Sequence, residues 1–204
     1  MEFLFLRLVT ITMIFAMSSA FADSLFLVEP FVGYASGRGD TKAITSSSVD
    51  YSSPIYGISV GFTRPNATFA FYGVFDVAEY KFNIKPKTGT ANTFNMQSGS
   101  SSLALAWRGK AVEFRLFGTL TSKMVITDES YKDDSFDGYG YGIALGYRFA
   151  KYGKLLIRFK SLKYNKYTDK DDSNTPLVTD MKDININELS AVFVIPFEMK
   201  TDIF

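Results

Sequence analysis

Large apolar residues alternate with very small ones between positions 139 and 149. The large residues are Tyr139, Tyr141, Ile143, Leu145, Tyr147 and Phe149, and the positions between them are glycine or alanine until Arg148. A period of two is that of a β-strand with two unlike faces. A face made of glycine fits neither an apolar core nor a solvated surface. The pattern predicts a strand of a small closed barrel, with the aromatic face against lipid and the glycine face in a tight polar interior.

Seven further segments alternate in a similar way, so we predict eight antiparallel strands in all. The seven are Leu25–Ala35, Ile55–Thr63, Phe69–Tyr80, Ser100–Arg108, Val112–Thr121, Lys154–Lys160 and Glu188–Phe197, and Thr121 is assigned to the inner face of its strand. Short turns are predicted at 64–66, 109–111 and 150–153, and long polar loops at 36–53, 81–99, 122–137 and 161–187. Short turns at one end and long loops at the other are typical of an up-and-down outer-membrane barrel with both termini in the periplasm.

The first 22 residues are predicted to be a cleaved signal peptide. Arg7 precedes a mostly apolar stretch, and Ala20 and Ala22 match an A-x-A cleavage site. We therefore expect the barrel to occupy residues 23–197 and a short periplasmic tail to occupy 198–204. An uncleaved anchor helix is the alternative for the N-terminus. Beyond Ala22 no apolar run reaches the roughly 18 residues that a helical span needs, so membrane insertion of the mature chain would require a barrel.

The composition narrows the chemistry of the chain. It contains no His and no Cys, which removes Ser-His-Asp and Cys-His catalysis, disulfides and the usual zinc ligands. We therefore expect no enzyme activity, no cofactor and no metal site. The 22 basic and 21 acidic residues give a net charge of +1, which does not favour nucleic acid as a partner.

Aromatic side chains make up 16% of the chain and concentrate near the predicted strand ends. Tyr and Trp favour a membrane interface because one end of the side chain is apolar and the other makes hydrogen bonds. The residues that we predict to face lipid are Tyr34, Tyr56, Phe62, Phe69, Trp107, Phe114, Tyr141, Tyr147, Phe149 and Phe197.

Charged residues occur on the inner face of the predicted strands. They are Glu29, Asp76, Arg108, Glu113, Arg115, Arg148, Lys154, Arg158, Lys160 and Glu188. An eight-stranded barrel is just wide enough for its own side chains to fill, and buried charge is costly unless it is paired. We therefore predict an interior network of ion pairs and hydrogen bonds. It would act as a polar plug, which we favour, or as a narrow gated pore.

Three segments carry a resemblance to a known group. Pro30-Phe31-Val32-Gly33-Tyr34, the run from Tyr56 to Phe62, and the run from Gly140 to Tyr147 resemble the small eight-stranded outer-membrane barrels of Gram-negative bacteria, the porin-family or OmpX-type barrel domains. The resemblance implies a monomer in the outer membrane, placed there by the barrel-insertion machinery, which in this group reads a terminal Phe. We expect Phe197 to close the last strand; the alternative is a bulge at Pro196 that lets Phe204 serve.

The resemblance and the pattern together predict a structural or surface-interaction role. Four extracellular loops would stand on a polar-filled barrel, in contact with outer-membrane lipid and lipopolysaccharide and available to an extracellular partner. Arg38-Gly39-Asp40 matches an integrin-type tripeptide and would lie in the first loop. One alternative is a narrow channel for small solutes or ions. A second is a soluble ligand-binding barrel, which would require the reverse polarity, with an apolar interior and a polar exterior.

Overall fold

The computed structural model describes residues 24–41, 47–85, 92–128, 133–150, 153–168 and 184–200. These residues form an all-β structure. Its strands are β1 Leu25–Thr41, β2 Ser47–Thr63, β3 Phe69–Lys85, β4 Asn92–Arg108, β5 Val112–Ile126, β6 Ser135–Ala150, β7 Gly153–Thr168, β8 Ile184–Val194 and β9 Phe197–Lys200. In this part of the chain no helix is long and apolar enough to cross a membrane. The predicted signal peptide lies outside the described residues.

The strands close into a barrel. Each strand from β1 to β7 pairs antiparallel with the next, and β8 pairs with β1, which closes the sheet on itself. Because β9 continues the course of β8 along β1, the barrel has eight strands around its circumference. The prediction of an eight-stranded antiparallel barrel is therefore confirmed.

The two faces of the strands differ as the alternation predicts. Tyr141 and Leu145 on β6 point outward and are 71% and 59% exposed, whereas Ala144 between them is buried. The inner glycines allow close packing of the neighbouring strand. A Cβ at Gly142 would collide with the backbone carbonyl of Phe159 and lie 3.2 Å from Cγ of Lys160. Glycine at this position therefore leaves room for the Lys160 side chain inside the barrel.

The strands are longer than predicted, and much of the sequence predicted to be long loops is β-sheet. For example, β1 and β2 remain paired as far as Thr41 and Ser47, and Arg38-Gly39-Asp40 lies within β1 rather than in a loop. The prediction was wrong because the outward residues of these extensions are polar. The apolar alternation thus ends before the hydrogen-bonded ladder does.

A β-bulge in β5 corrects the predicted orientation of Thr121. The register between β4 and β5 shifts at Ser101–Ser102, and the register between β5 and β6 shifts between Thr119 and Ser122. Leu120 and Thr121 are both exposed, so Thr121 faces outward. An extra residue in one strand reverses the facing of every later residue, which a period of two cannot anticipate.

The last strand also runs further than predicted. Val194 pairs with Phe31 and Phe197 pairs with Val28, so β8 and β9 keep one register along β1. The interruption falls at Pro196, which has no N–H to donate to the ladder. The sheet then continues to Lys200, so the first residues of the predicted tail belong to the barrel, and Phe197 does not end it. Phe204, the alternative terminal signal, lies outside the described residues.

Candidate functional site

The lumen near the short-turn end contains a buried group of charges, which we call the lower cluster. It consists of Glu29 on β1, Glu113 and Arg115 on β5, and Lys154 on β7. The guanidinium of Arg115 contacts both carboxylates. Lys154 Nζ lies 2.8 Å from Glu29 Oε1 and 3.1 Å from Glu113 Oε2. Two acids and two bases thus neutralise each other inside the barrel, as buried charge requires.

Tyr72 completes the hydrogen bonding around the lower cluster. Its hydroxyl donates to Glu29 Oε1 at 3.3 Å. The guanidinium carbon of Arg115 lies 4.1 Å from the centroid of the Tyr72 ring, a cation–π distance. Arg115 Nη1 also lies 3.4 Å from Ser59 Oγ. The charges are therefore held by neutral polar groups as well as by one another.

A second group of charges, which we call the upper cluster, consists of Asp76 on β3 and Arg158 and Lys160 on β7, all on the inner face. Lys160 Nζ lies 2.7 Å and Arg158 Nη1 3.5 Å from Asp76 Oδ2. Ser100 donates to the other carboxylate oxygen at 2.7 Å. Arg158 also donates from Nε to Ser190 Oγ at 3.0 Å. All of these charged side chains are buried.

Glu188 was predicted to join the interior network, but among the described residues it makes no ion pair. It lies opposite Lys160 on the neighbouring strand, yet the ammonium of Lys160 points to Asp76. The Tyr51 hydroxyl donates to Glu188 Oε2 at 2.5 Å, and Oε1 has no partner in the described part of the chain. Glu188 therefore belongs to a different layer of the lumen.

That layer is aromatic and lies toward the end of the barrel opposite the short turns. The rings of Tyr51 and Tyr80 stack with centroids 4.3 Å apart, and Phe82 lies 6.3 Å from Tyr51. The Tyr164 hydroxyl lies 2.8 Å from Ser122 Oγ. We call Tyr51, Tyr80, Phe82 and Tyr164 the aromatic layer. Sequence reasoning missed it because each of these residues lay in, or at the edge of, a predicted loop.

Arg108 and Arg148 lie at the short-turn mouth rather than deep in the lumen, and both are partly buried. Their partner is Glu198 on β9, whose Oε1 lies 2.6 Å from Arg108 Nη2 and 3.2 Å from Arg148 Nη2. Arg108 Nε is also 3.8 Å from Glu113 Oε2, which connects the mouth to the lower cluster. Glu198 was not among the predicted interior residues because it follows Phe197, where the alternation was taken to end.

The ten aromatic residues predicted to face lipid all lie on the outward face of their strands. Nine are exposed, and Phe62 is half-buried because it stacks on Phe71 with ring centroids 5.6 Å apart. Large aliphatic side chains such as Leu103, Leu116 and Ile143 share the same outer surface. The result is an apolar belt around a charged interior.

The acidic side chains of the described ranges do not form a metal-binding arrangement. No group of three or more Asp, Glu, His or Cys residues there is placed to hold a metal ion. The charged side chains contact one another across the lumen. The chemistry of the interior is therefore that of a packed polar core.

The closed eight-stranded barrel is similar in fold to small outer-membrane barrels of known structure. Neisserial surface protein A superimposes with a TM-score of 0.53 at 18% identity, covering 84% of this chain and 97% of the other. Ail, the attachment invasion locus protein of Yersinia pestis, in complex with the heparin analogue sucrose octasulfate, gives a TM-score of 0.53 at 11% identity, covering 84% of this chain and 99% of that one.

These identities are low enough that the likeness shows the shared fold alone. No protein-family model matches the sequence, and no curated protein matches it either. The resemblance predicted from the sequence is thus confirmed at the level of architecture, and the role of the protein has to be argued from its own residues.

Proposed function

We propose that the protein is an outer-membrane β-barrel of a Gram-negative bacterium, with a structural or surface-interaction role and no enzymatic activity. The observation that carries this proposal is the polarity of the barrel. Leu145 and Tyr141 are largely exposed, whereas Arg115 and Arg158 inside are each 1% exposed. A soluble barrel would hide the first pair and hydrate the second. Acyl chains are the environment in which an apolar belt of this extent is stable.

The orientation follows from the connections and the strand extensions. The connections after β2, β4 and β6 are short, which is typical of the periplasmic side. At the opposite end the outward residues of β3 and β4 become polar, as at Glu79, Lys81, Asn95 and Gln97. We propose that this end extends beyond the membrane and contacts lipopolysaccharide and any extracellular partner. A partner would meet the polar strand extensions as well as the four loops.

A groove on these extensions is the surface that we propose for such a partner. It has a volume of about 600 Å³ and is lined by residues that include Glu79, Lys81, Asn95 and Thr127. Volumes of roughly 300–1,000 Å³ are common for specific binding sites. Both signs of charge are present, so a partner with both donors and acceptors suits the groove better than a polyanion. Nothing in it favours nucleic acid.

The packing of the lumen supports a closed plug over the alternative of a channel. Ion pairs cross the lumen in both charged clusters, and the aromatic layer lies between them and the end of the barrel opposite the short turns. Passage of a solute would require breaking buried ion pairs, and an unpaired buried charge is strongly unfavourable. We therefore propose a monomeric, non-conducting barrel that is delivered by the barrel-insertion machinery.

Localisation and folding test this proposal directly. The full chain, expressed in a Gram-negative host, should fractionate with the outer membrane and migrate faster on a gel before boiling than after it. A variant with Leu145→Asp and Ile143→Asp, which places acids in the outer belt, should lose both properties. Recovery of the parent protein in the soluble periplasm as a stable monomer would refute the proposal.

A further inference from the structure

The outer surface of β3, β4 and β5 contains a recess in the otherwise bulky apolar belt. Gly73 lies opposite Leu103, and Leu103 lies opposite Gly118, so two glycines flank one leucine across three strands. The recess has a volume of about 620 Å³, and Phe71 and Leu116 are among the residues that line it. A Cβ at Gly118 would have no atom within 4 Å. The missing side chains therefore leave space that faces away from the barrel.

Polar groups follow the recess along the same pair of strands. Ser101 lies on β4 two residues from Leu103, on the side away from the short turns. Its Oγ lies 2.8 Å from Thr121 Oγ1 of β5, on the outer surface. The next outward position on β5 is Lys123, which is exposed and lies opposite Gly99. From the short-turn side outward, this surface changes from leucine and phenylalanine to hydroxyl groups and then to a cation.

The β-bulge in β5 produces this arrangement. Before the bulge, the odd-numbered residues Glu113 and Arg115 face the lumen. After the extra residue the facing is reversed, so Thr121 and Lys123 face outward. Bulges often redirect side chains at functional positions. Without the bulge, both the hydroxyl of Thr121 and the ammonium of Lys123 would point into the barrel.

The charge around Lys123 leaves it available to an anion. Within the described part of the chain its ammonium makes no ion pair, although Asp137 lies opposite it on β6. Asp137 in turn lies opposite Lys166 on β7. A cation, a carboxylate and a second cation therefore lie side by side on the adjacent strands β5, β6 and β7. This part of the surface carries an excess of positive charge next to the hydroxyl pair.

We propose that the recess, the Ser101–Thr121 hydroxyl pair and Lys123 form a binding site for one phosphorylated, acylated glycolipid, namely lipopolysaccharide of the outer leaflet. One acyl chain fills the recess, the hydroxyls hydrogen-bond to the polar linkage of that chain, and Lys123 pairs with a phosphate. The inference rests on the proposed function, because it requires the Lys123 end of the barrel to lie at the outer leaflet.

Two other occupants fit the recess less well. A phospholipid of the inner leaflet would place its headgroup at the short-turn end, away from Lys123. A second copy of the chain, related by a twofold axis along the membrane normal, would bring its own Lys123 toward the first at the same height. Like charges so placed repel each other. An anionic lipid with its phosphate on the outer side matches both the apolar recess and the cation.

The test uses the full chain folded in a nonionic detergent and native mass spectrometry to count bound lipid. The probes are diphosphorylated lipid A, monophosphorylated lipid A and phosphatidylglycerol. We expect one diphosphorylated lipid A per chain, with weaker retention of the other two. Gly118→Leu fills the recess and should lower occupancy by about tenfold or more, since a pocket that is filled cannot bury the acyl chain. Lys123→Gln should weaken binding about threefold or more and remove the preference for the second phosphate.

Two matched controls separate the site from general effects. Ala191→Leu adds the same kind of bulk to the outer surface of β8, and Lys110→Gln removes a cation at a short turn. Both should bind as the parent does. If Gly118→Leu folds poorly, Ser101→Ala with Thr121→Val tests the hydroxyl pair without added volume, and it should also weaken retention.

Several outcomes would overturn the inference. They are unchanged retention in Gly118→Leu and Lys123→Gln, equal or tighter binding of phosphatidylglycerol, and a protein dimer that Gly118→Leu dissociates. Each variant is first checked for the shift in gel mobility on boiling. A protein that shows this shift and fractionates with the outer membrane, yet retains no lipid A, would refute the lipid site and leave the proposed function standing.

Discussion

Lys160 Nζ lies 2.7 Å from Asp76 Oδ2, although the two residues come from opposite walls of the barrel. Their strands, β7 and β3, are four positions apart in a closed sheet of eight. Arg115 on β5 and Glu29 on β1 form a second contact across the same number of strands. Both ion pairs join strands that share no backbone ladder, so they brace the lumen. These contacts explain how a barrel without disulfides obtains cross-links through its interior.

Removal of one carboxylate from the upper cluster should destabilise the barrel strongly. Asp76→Ala leaves Lys160 and Arg158 buried without the acid that they contact. We expect a loss of about 3–5 kcal/mol in the free energy of unfolding. Urea unfolding in lipid vesicles, followed through the fluorescence of Trp107, the single tryptophan of the chain, would measure it.

Asp40→Ala, an exposed acid on β1, provides the matched control and should change stability by no more than about 0.5 kcal/mol. The triple variant Asp76→Leu with Arg158→Met and Lys160→Met should recover much of the loss, because apolar side chains can replace a buried ionic group whose members are all removed. If Asp76→Ala is as stable as the parent, the ion pairs of the upper cluster do not stabilise the barrel.

The two charged clusters and the aromatic layer should act as separate barriers to conduction. Tyr51→Ala with Tyr80→Ala opens the aromatic layer but leaves Arg115 bound to Glu29. We expect this double variant to remain non-conducting in planar bilayers. Addition of Glu29→Ser and Arg115→Ser, together with Asp76→Ser, Arg158→Ser and Lys160→Ser in the upper cluster, should then produce discrete ion-conductance steps, because the ion pairs between opposite walls are gone.

Tyr139→Ala with Tyr141→Ala removes two tyrosines from the outer surface and should leave conductance unchanged. Conductance in the Tyr51 and Tyr80 double variant alone would show that the charged clusters are no barrier. A parent protein that conducts without any substitution would favour the channel over the plug.

The outward orientation of β6 predicts a depth-dependent cost for a charge. Leu145 is 59% exposed on the apolar belt, about midway along the run of large outward residues from Tyr139 to Phe149. Leu145→Arg should cost about 2–4 kcal/mol in vesicles, whereas Tyr139→Arg, nearer the outer interface, should cost about 0–1 kcal/mol. Equal costs for the two variants in a urea titration would contradict the assigned membrane position.

The sequence was sufficient to predict closure, strand number and facing wherever a strand alternates without interruption. For β6 the period of two identified Leu145 as outward and Ala144 as inward, and the structure agrees. It was insufficient where backbone geometry breaks the period. The bulge at Leu120 reverses Thr121, because one extra residue changes the face of every residue that follows.

The candidate interior could be predicted as a set of charges but not as a set of partners. Glu188 lies on the inner face as expected, yet it accepts a hydrogen bond from Tyr51, which lay within a predicted loop. Which base faces which acid depends on strand tilt and stagger around the barrel, and alternation within one strand carries no information about either. Glu198 was missed because the apolar alternation ends at Phe197, whereas the strand continues to Lys200.

The C-terminal strand yields the last prediction, because β9 continues along β1 the pairing that β8 begins. Its residues pair with Leu25–Val28, and Glu198 contacts Arg108 and Arg148 at the mouth. A chain that ends after Lys200 keeps all of these contacts and should insert and show heat-modifiable migration. A chain that ends after Pro196 exposes an unpaired edge on β1, so insertion should fail or the product should aggregate.

Glu198→Gln in the full chain should cost only about 1 kcal/mol or less in the free energy of unfolding, because the ion pair of Glu198 with Arg108 is partly solvated. Loss of insertion on removal of residues 201–204 alone would instead assign the terminal signal to Phe204, and it would separate recognition by the insertion machinery from the closure of the barrel.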